Sequence, residues 1–184
     1  MTIDIWNPNR EALLEKYKHV LHDARRLFSW TTGAELAWLA EYSSGKQDLI
    51  EIGSYIGKSA YVMMAANPKL RVYSFDTWDD EGTDEEIKFN LRSFGKRWKG
   101  VKGNSAETLK ETSGDFDSAF TDGGHLYADV VSDITNLRRI LPKGTVIAGH
   151  DYRADLPEDG VTKAVRELLP NHKNVIDSIW VATL

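Results

Sequence analysis

From Thr32 onward the chain alternates short apolar runs with helix-patterned stretches, a rhythm that few architectures accommodate. "DLIEI" (48–52), "LRVYSFD" (70–76), "WKGVKGN" (98–104), "FDSAFTD" (116–122) and "GTVIAGHD" (144–151) read as strands. Helices are expected over Lys58–Asn67, from Thr83 to about Arg97, and over Ser105–Glu111, Leu126–Leu141 and Val161–Leu169, with strand-rich "NVIDSIWVATL" at the end. Upstream, Leu13, Tyr17, Val20, Leu21, Ala24, Leu27 and Phe28 recur at helical spacing, which predicts a helix over Arg10–Phe28. Thr32-Gly-Ala-Glu35 then has the form of a capping box opening a second helix. Alternation of this kind implies an α/β fold, a doubly wound and mostly parallel sheet with helices on both faces. With no internal repeat and no linker, residues 1–184 read as a single domain, N-terminal helices over 1–45 and an α/β core over 46–184.

Composition narrows the function. A hydrophobic content of 41% fills one sizeable core. A net charge of −5 argues against a nucleic-acid partner, which selects for a basic face. The absence of cysteine excludes disulfides and thiolate metal sites. No window approaches the ~20 apolar residues of a membrane span, and the first residues lack a signal-peptide core, so the expectation is a cytoplasmic protein without a membrane partner.

Ligands of doubly wound sheets sit at the carboxyl ends of the strands. Those ends carry Glu51-Ile-Gly53, Asp76-Thr77-Trp78, Gly103-Asn104-Ser105, Asp122-Gly-Gly-His125 and His150-Asp151-Tyr152. One acid could be a helix cap; four of five converging on one edge point to a shared site. The first end runs into Gly57-Lys58-Ser59, which invites a triphosphate-loop reading. That loop needs Gly-x-x-x-x-Gly-Lys-Ser/Thr, which would place its first glycine at Ile52; Gly53 is one residue too close. A dinucleotide fingerprint would need glycines at Tyr55 and Lys58. What remains is an acid, a tight glycine turn and a helix N-terminus, which suits a ligand carboxylate, and Asp76, which suits ribose hydroxyls. A P-loop-like phosphotransferase or NTPase, with "FDSAFTD" as its metal-binding strand, and a non-catalytic Rossmann-like binding module are the alternatives.

Among the histidines, His125 follows a strand-end acid by three residues and His150 adjoins Asp151, whereas His19, His22 and His172 have no such neighbours. Lys88, Arg92, Lys96, Arg97, Lys99 and Lys102 read as a solvated face. Trp78, close to Asp76, is the tryptophan placed to stack on a ligand; Trp98 and Trp180 read as packing residues.

In their order and spacing, "EIGSYIGKSA", "VYSFDTWDD", "GNSAE" and "FDSAFTDGGHLYADVVSDITNLRRILPKGTVIAGHDY" resemble class I S-adenosylmethionine-dependent methyltransferases, above all the cephalosporin-hydroxylase-like and macrocin-O-methyltransferase-like group. The likeness spans roughly 32–184 and implies that family's seven-stranded Rossmann-like sheet. It implies that Glu51, Gly53 and Gly57, with Ser54 and Ser59 in the same turn, surround the methionine and ribose portions of S-adenosylmethionine. Asp76 would bind the ribose hydroxyls, Thr77 and Trp78 would lie beside the adenosine, and Asn104 and Ser105 would border the adenine. Asp122 would lie below the methyl group as part of the cofactor-binding and catalytic sets, and Asp122 and Asp151, with His150 or else His125 as the third ligand, would hold Mg2+ or Mn2+. The implied activity is O-methylation of a small-molecule hydroxyl, activated by that cation or by a histidine base, His125 or His150. A homodimer that closes the acceptor pocket is the expected assembly. Two positions depart from the family pattern. It usually has Asp-Gly-Asp before the histidine, where this chain has Asp122-Gly123-Gly124-His125. It often has two carboxylates, or a carboxylate and an amide, where this chain has His150-Asp151. Both departures shift weight from a metal towards a histidine base.

Overall fold

In the computed structural model, which describes residues 3–184, the predicted strands form as β1 (Asp48–Ile52), β2 (Arg71–Asp76), β3 (Trp98–Lys102), β4 (Ser118–Thr121) and β5 (Val146–Gly149). The last segment folds into a hairpin of β6 (Lys173–Ile176) and β7 (Ile179–Thr183). All seven join one sheet in the order β3-β2-β1-β4-β5-β7-β6. Neighbours among β1 to β5 pair parallel, whereas β7 runs antiparallel to β5 and β6. The doubly wound, mostly parallel seven-stranded sheet is therefore as expected. Its winding reverses between β1 and β4, so the switch point lies just beyond Ile52 and Thr121, which pair at the top of the two strands.

Helices α1 (Arg10–Ala24), α2 (Gly33–Tyr42) and α3 (Lys58–Ala66) cover one face, where Leu13, Trp38, Leu39, Leu49 and Met63 share a core. On the other face, Ile50 and Ile52 meet Ile134 and Leu137 of α6 (Tyr127–Ile140) and Val165 of α7 (Gly160–Leu168). β1 divides its side chains between the two cores by the period-2 alternation of a strand, and all five of its residues are buried. Only Glu51 interrupts its apolar run. The apolar stripe of α1, Leu13, Tyr17, Val20 and Ala24, is buried against α2 and α3 within the chain, which accounts for it without a second copy. Among the described residues no helix is long and apolar enough to cross a membrane.

Three local expectations change. α1 ends at Ala24, where the Arg25 N–H turns back to the His22 carbonyl, and this frees Phe28 from the helix. α4 (Thr83–Leu91) is preceded by Gly82 at φ 83 with no side-chain cap, because the Thr83 hydroxyl donates instead to the Asp80 carbonyl at 2.7 Å. It also stops short of Arg97: residues 92–97 form a tighter 3-10 segment broken at Gly95 (φ 56, ψ −127). The capping box at Thr32 and Glu35 forms as predicted.

Candidate functional site

The turn after β1 is built around Gly53. Its φ is +78, and a Cβ there would lie 2.0 Å from the carbonyl oxygen of Asp122. Only glycine lets the ends of β1 and β4 approach so closely. The next two N–H groups, of Ser54 and Tyr55, donate to Asp76 Oδ2 at 2.8 and 2.9 Å, while the Trp78 N–H donates to Oδ1 at 2.9 Å. Asp76 thus ties the top of β2 to the turn after β1. Gly57 (φ +89) starts α3, and a Cβ there would press on Ile87 at 2.9 Å. Its role is the packing of α3 against α4.

A cleft opens over the switch point in two lobes that share Gly53, Asp76, Asp122 and Gly123. The larger, about 510 Å³, is bordered by Trp30, Tyr55, Lys58, Ser59, His125 and Asp151. The smaller, about 320 Å³, is bordered by Thr77, Asn104, Ser105 and Asp129. Most of the predicted residues therefore meet at one place. Three do not line it. Glu51 is fully buried beneath the turn, its carboxylate accepting from the Ser59 and Ser74 hydroxyls at 2.6 Å each. Burial pushes it up to about 7, against the pull of those two bonds. Gly57 faces α4. Trp78 is a correction: it is 6% exposed and packs in the core, with its indole N–H on the Tyr55 carbonyl at 2.9 Å, and the edge it shows borders a separate hollow beside Trp98 and Lys102, not this cleft.

The acids and histidines form a chain from the core outwards. His150, 8% exposed, has Nδ1 at 3.3 Å from Asp151 Oδ1 and 3.5 Å from Asp122 Oδ1. Its Nε2 lies 3.3 Å from Glu35 Oε1, in ion-pair range but out of line for a hydrogen bond. Burial opposes a charge on His150, but Asp122, Asp151 and Glu35 together outweigh it and push the imidazolium up to about 12. Both ring nitrogens of His150 therefore face carboxylates, which favours its charged form. Outside it, His125 Nε2 pairs with Asp151 Oδ2 at 2.9 Å. That pairing, with His150 behind it, holds the Asp151 carboxyl well below its usual range, and Asp151 in turn raises His125. Burial raises Asp122, against the pull of His150.

Glu35 was legible only as half of a capping box. Its Oε2 accepts the Thr32 N–H at 2.7 Å, as that motif requires, but Oε1 accepts the Ser178 N–H and hydroxyl at 2.9 and 2.7 Å. Burial pushes Glu35 up, yet His150, Thr32 and Ser178 outweigh it and bring it down to about 2. These shifts fix the sign of the pH dependence. The contribution of His150 is complete below about 6.5 and is lost as pH rises towards about 12. That of Glu35 is complete above about 4.5 and is lost as pH falls towards about 2. Glu51, raised to about 7, gives up its contribution between about 4.5 and 7, which moves the maximum towards the acid end of that window. Calorimetric Tm is expected to peak between about pH 4.5 and 6.5; a Tm that climbs steadily into the alkaline range would contradict the assignment of His150.

Among the described residues, Asp122, His125 and Asp151 are the group that could hold a metal, each offering one atom within 4.8 Å of the others. Of the two histidines expected as a third ligand, His125 is the one in this group, while three carboxylates occupy both ring nitrogens of His150. At position 124, where the family pattern has a further acid, a Cβ would lie 2.5 Å from Asp129 Oδ2, so a neighbouring carboxylate fills the space.

A family model described as methyltransferase domain matches residues 50–152. Among solved structures, a putative caffeoyl-CoA O-methyltransferase from Staphylococcus aureus is 14% identical with a TM-score of 0.75, covering 95% of this chain and 98% of that one. TomG, an O-methyltransferase from Streptomyces achromogenes in complex with SAM, is 17% identical with a TM-score of 0.68, covering 100% and 99%. CalS11, a TDP-rhamnose 3'-O-methyltransferase of calicheamicin biosynthesis, is 16% identical with a TM-score of 0.66, covering 94% and 93%. At these identities the likeness is one of fold. No curated protein matches by sequence.

Proposed function

This chain belongs to the methyltransferase-domain family, and from that premise we propose that it transfers a methyl group from S-adenosylmethionine to a hydroxyl of a small molecule. One observation carries the reading: the two lobes of the cleft meet at Asp76 and Asp122, with the His125–Asp151 pair facing the larger lobe. The residues present fit the cofactor. Gly53 leaves bare backbone at the junction, and the Ser54 hydroxyl beside it is buried without a partner. Asp76 uses three acceptor sites on backbone N–H groups, out of about four on a carboxylate, which leaves one for a ribose hydroxyl. Asn104 and Ser105 border the smaller lobe, on the adenine side. Lys58, whose ammonium is brought down by burial, stands at the N-terminus of α3, where charge and helix dipole both favour a carboxylate.

When bound, S-adenosylmethionine supplies a methyl on a positive sulfur, which keeps the C–S bonding pair and leaves as a neutral thioether. The chain must then align the acceptor and remove its proton. His125 is placed for this. Its Nε2–H faces Asp151, which leaves Nδ1 as the acceptor, and Asp151 stabilises the imidazolium that forms. His150 holds Asp122 and Asp151 in place and neutralises their repulsion. A second reading has one observation of its own, the three donor atoms of Asp122, His125 and Asp151. A set of two carboxylates and an imidazole suits Mg2+ or Mn2+, and a cation there would lower the pKa of a bound hydroxyl. Because His150 already supplies the positive charge, activity is expected to survive exhaustive chelation; a loss restored only by Mg2+ or Mn2+ would assign activation to the metal.

Calorimetric titration with S-adenosylmethionine and S-adenosylhomocysteine tests the reading. Both are expected to bind, and magnesium ATP is not. Asp76→Ala is expected to weaken both by about 1.5–3 kcal/mol, the scale of a hydrogen bond to a charged group. Equal affinity in the variant would remove Asp76 from the site, and binding of ATP alone would overturn the proposal.

A further inference from the structure

Three aromatic rings stand at the mouth of the larger lobe. Phe28 and Trp30 come from the segment between α1 and α2 and are 55% and 75% exposed. Tyr55 comes from the turn whose N–H groups Asp76 holds. Ring centroids of Phe28 and Trp30 are 4.9 Å apart at 84°, and those of Trp30 and Tyr55 are 5.3 Å apart at 47°. Neither core includes Phe28 or Trp30, so packing does not account for them. Large aromatics left in water at the rim of a cavity mark a binding surface.

We infer that the methyl acceptor is an aryl hydroxyl, a phenol or catechol, whose ring seats against Trp30, Phe28 and Tyr55; this rests on the methyl-transfer reading. Three rings set at steep mutual angles form a corner that offers both faces and edges to a fourth, the geometry in which aromatic rings attract. Tyr55 belongs at once to this corner and to the turn fixed by Asp76, so a ring seated there lies next to the donor. The same lobe is bordered by His125 and Asp151. An aryl hydroxyl also gives up its proton roughly 5 pKa units more readily than water does. The phenolic O–H passes its proton to His125, and the oxygen gains the methyl as the C–S bond breaks towards sulfur. A sugar acceptor would need a polar partner for each ring hydroxyl. At this rim the Ser29 hydroxyl, which accepts the Thr31 N–H at 2.9 Å, has its O–H left to offer, whereas the surface the three rings present is aromatic.

The test offers S-adenosylmethionine with 3,4-dihydroxybenzoate or with a TDP-deoxyhexose, and reads methylated product by mass spectrometry. Methylation of the catechol is expected. Trp30→Ala should lower kcat/KM for it about tenfold, mainly through KM, with unchanged S-adenosylhomocysteine affinity, and Trp30→Phe should recover most of the loss. Cofactor affinity that falls in step with the Trp30→Ala rate would assign the ring to adenosine and overturn the inference. Binding of S-adenosylhomocysteine together with methylation of the sugar but not the catechol would overturn the aryl assignment alone. A protein that binds neither form of the cofactor would overturn the reading beneath it.

Discussion

His125→Ala is expected to lower kcat by about 10²- to 10⁴-fold, the usual contribution of a positioned general base, with S-adenosylmethionine affinity close to that of the parent. The separation of the two effects follows from position. His125 borders the larger lobe only, whereas Asp76 and Gly53, at the junction, border both. Imidazole can take the acceptor proton because its partner is a carboxylate held ionised by His125 and His150. His125→Gln, similar in size but unable to take a proton at neutral pH, should be nearly as slow as the alanine variant. Stopped-time assays at saturating cofactor and acceptor measure this directly. A variant retaining more than about half the parental kcat would leave proton removal to another group, with a cation on Asp122 and Asp151 first in line.

His150→Leu is expected to cost about 3–5 kcal/mol of folding stability, the range for breaking a buried ion pair by removing one partner. The parent keeps Glu35, Asp122 and Asp151 around one imidazolium. Leucine leaves those acids facing one another with no cation among them. Against a total stability of about 5–15 kcal/mol the loss is large, and it should appear as a fall in Tm of about 6–20 °C. Its pH dependence distinguishes it from a packing defect. Acidification, which lets the orphaned carboxylates protonate, should restore part of the lost stability in the variant, whereas a cavity would cost the same at every pH. Calorimetry of both proteins between about pH 4.5 and 8 reads the difference, and a deficit independent of pH would contradict the charged state assigned to His150.

What could be read from the sequence follows the range of the interactions involved. β1 to β5 and α6 were legible because their apolar periodicity is local, and the capping box at Thr32 because its partners are three residues apart. The strand-end acids were legible because a doubly wound sheet brings its carboxyl ends together whatever the details of packing. Elements fixed by distant partners were not. Glu35 meets Ser178 across 143 positions, and nothing near it in the chain shows that it also faces His150. Arg97, read as part of a solvated stripe, instead donates to the carbonyls of Met64, Asn67 and Leu70 and closes the end of α3. The choice between His125 and His150 turned on burial among three carboxylates, which spacing does not encode. Phe28 fitted the helical period of α1 but lies past its last turn, at the mouth of the cleft. Two large aromatics, Phe28 and Trp30, in the short segment before the capping box were the signal that could have placed that segment at a site.

A crystal structure with S-adenosylhomocysteine tests the central claim most directly. The account predicts the adenosine in the smaller lobe beside Asn104 and Ser105, a ribose hydroxyl on Asp76, and the sulfur at the junction of the lobes facing Asp122. The space beside His125 would be left open for the acceptor. A ligand bound elsewhere, or one whose sulfur points away from Asp122 and His125, would contradict it.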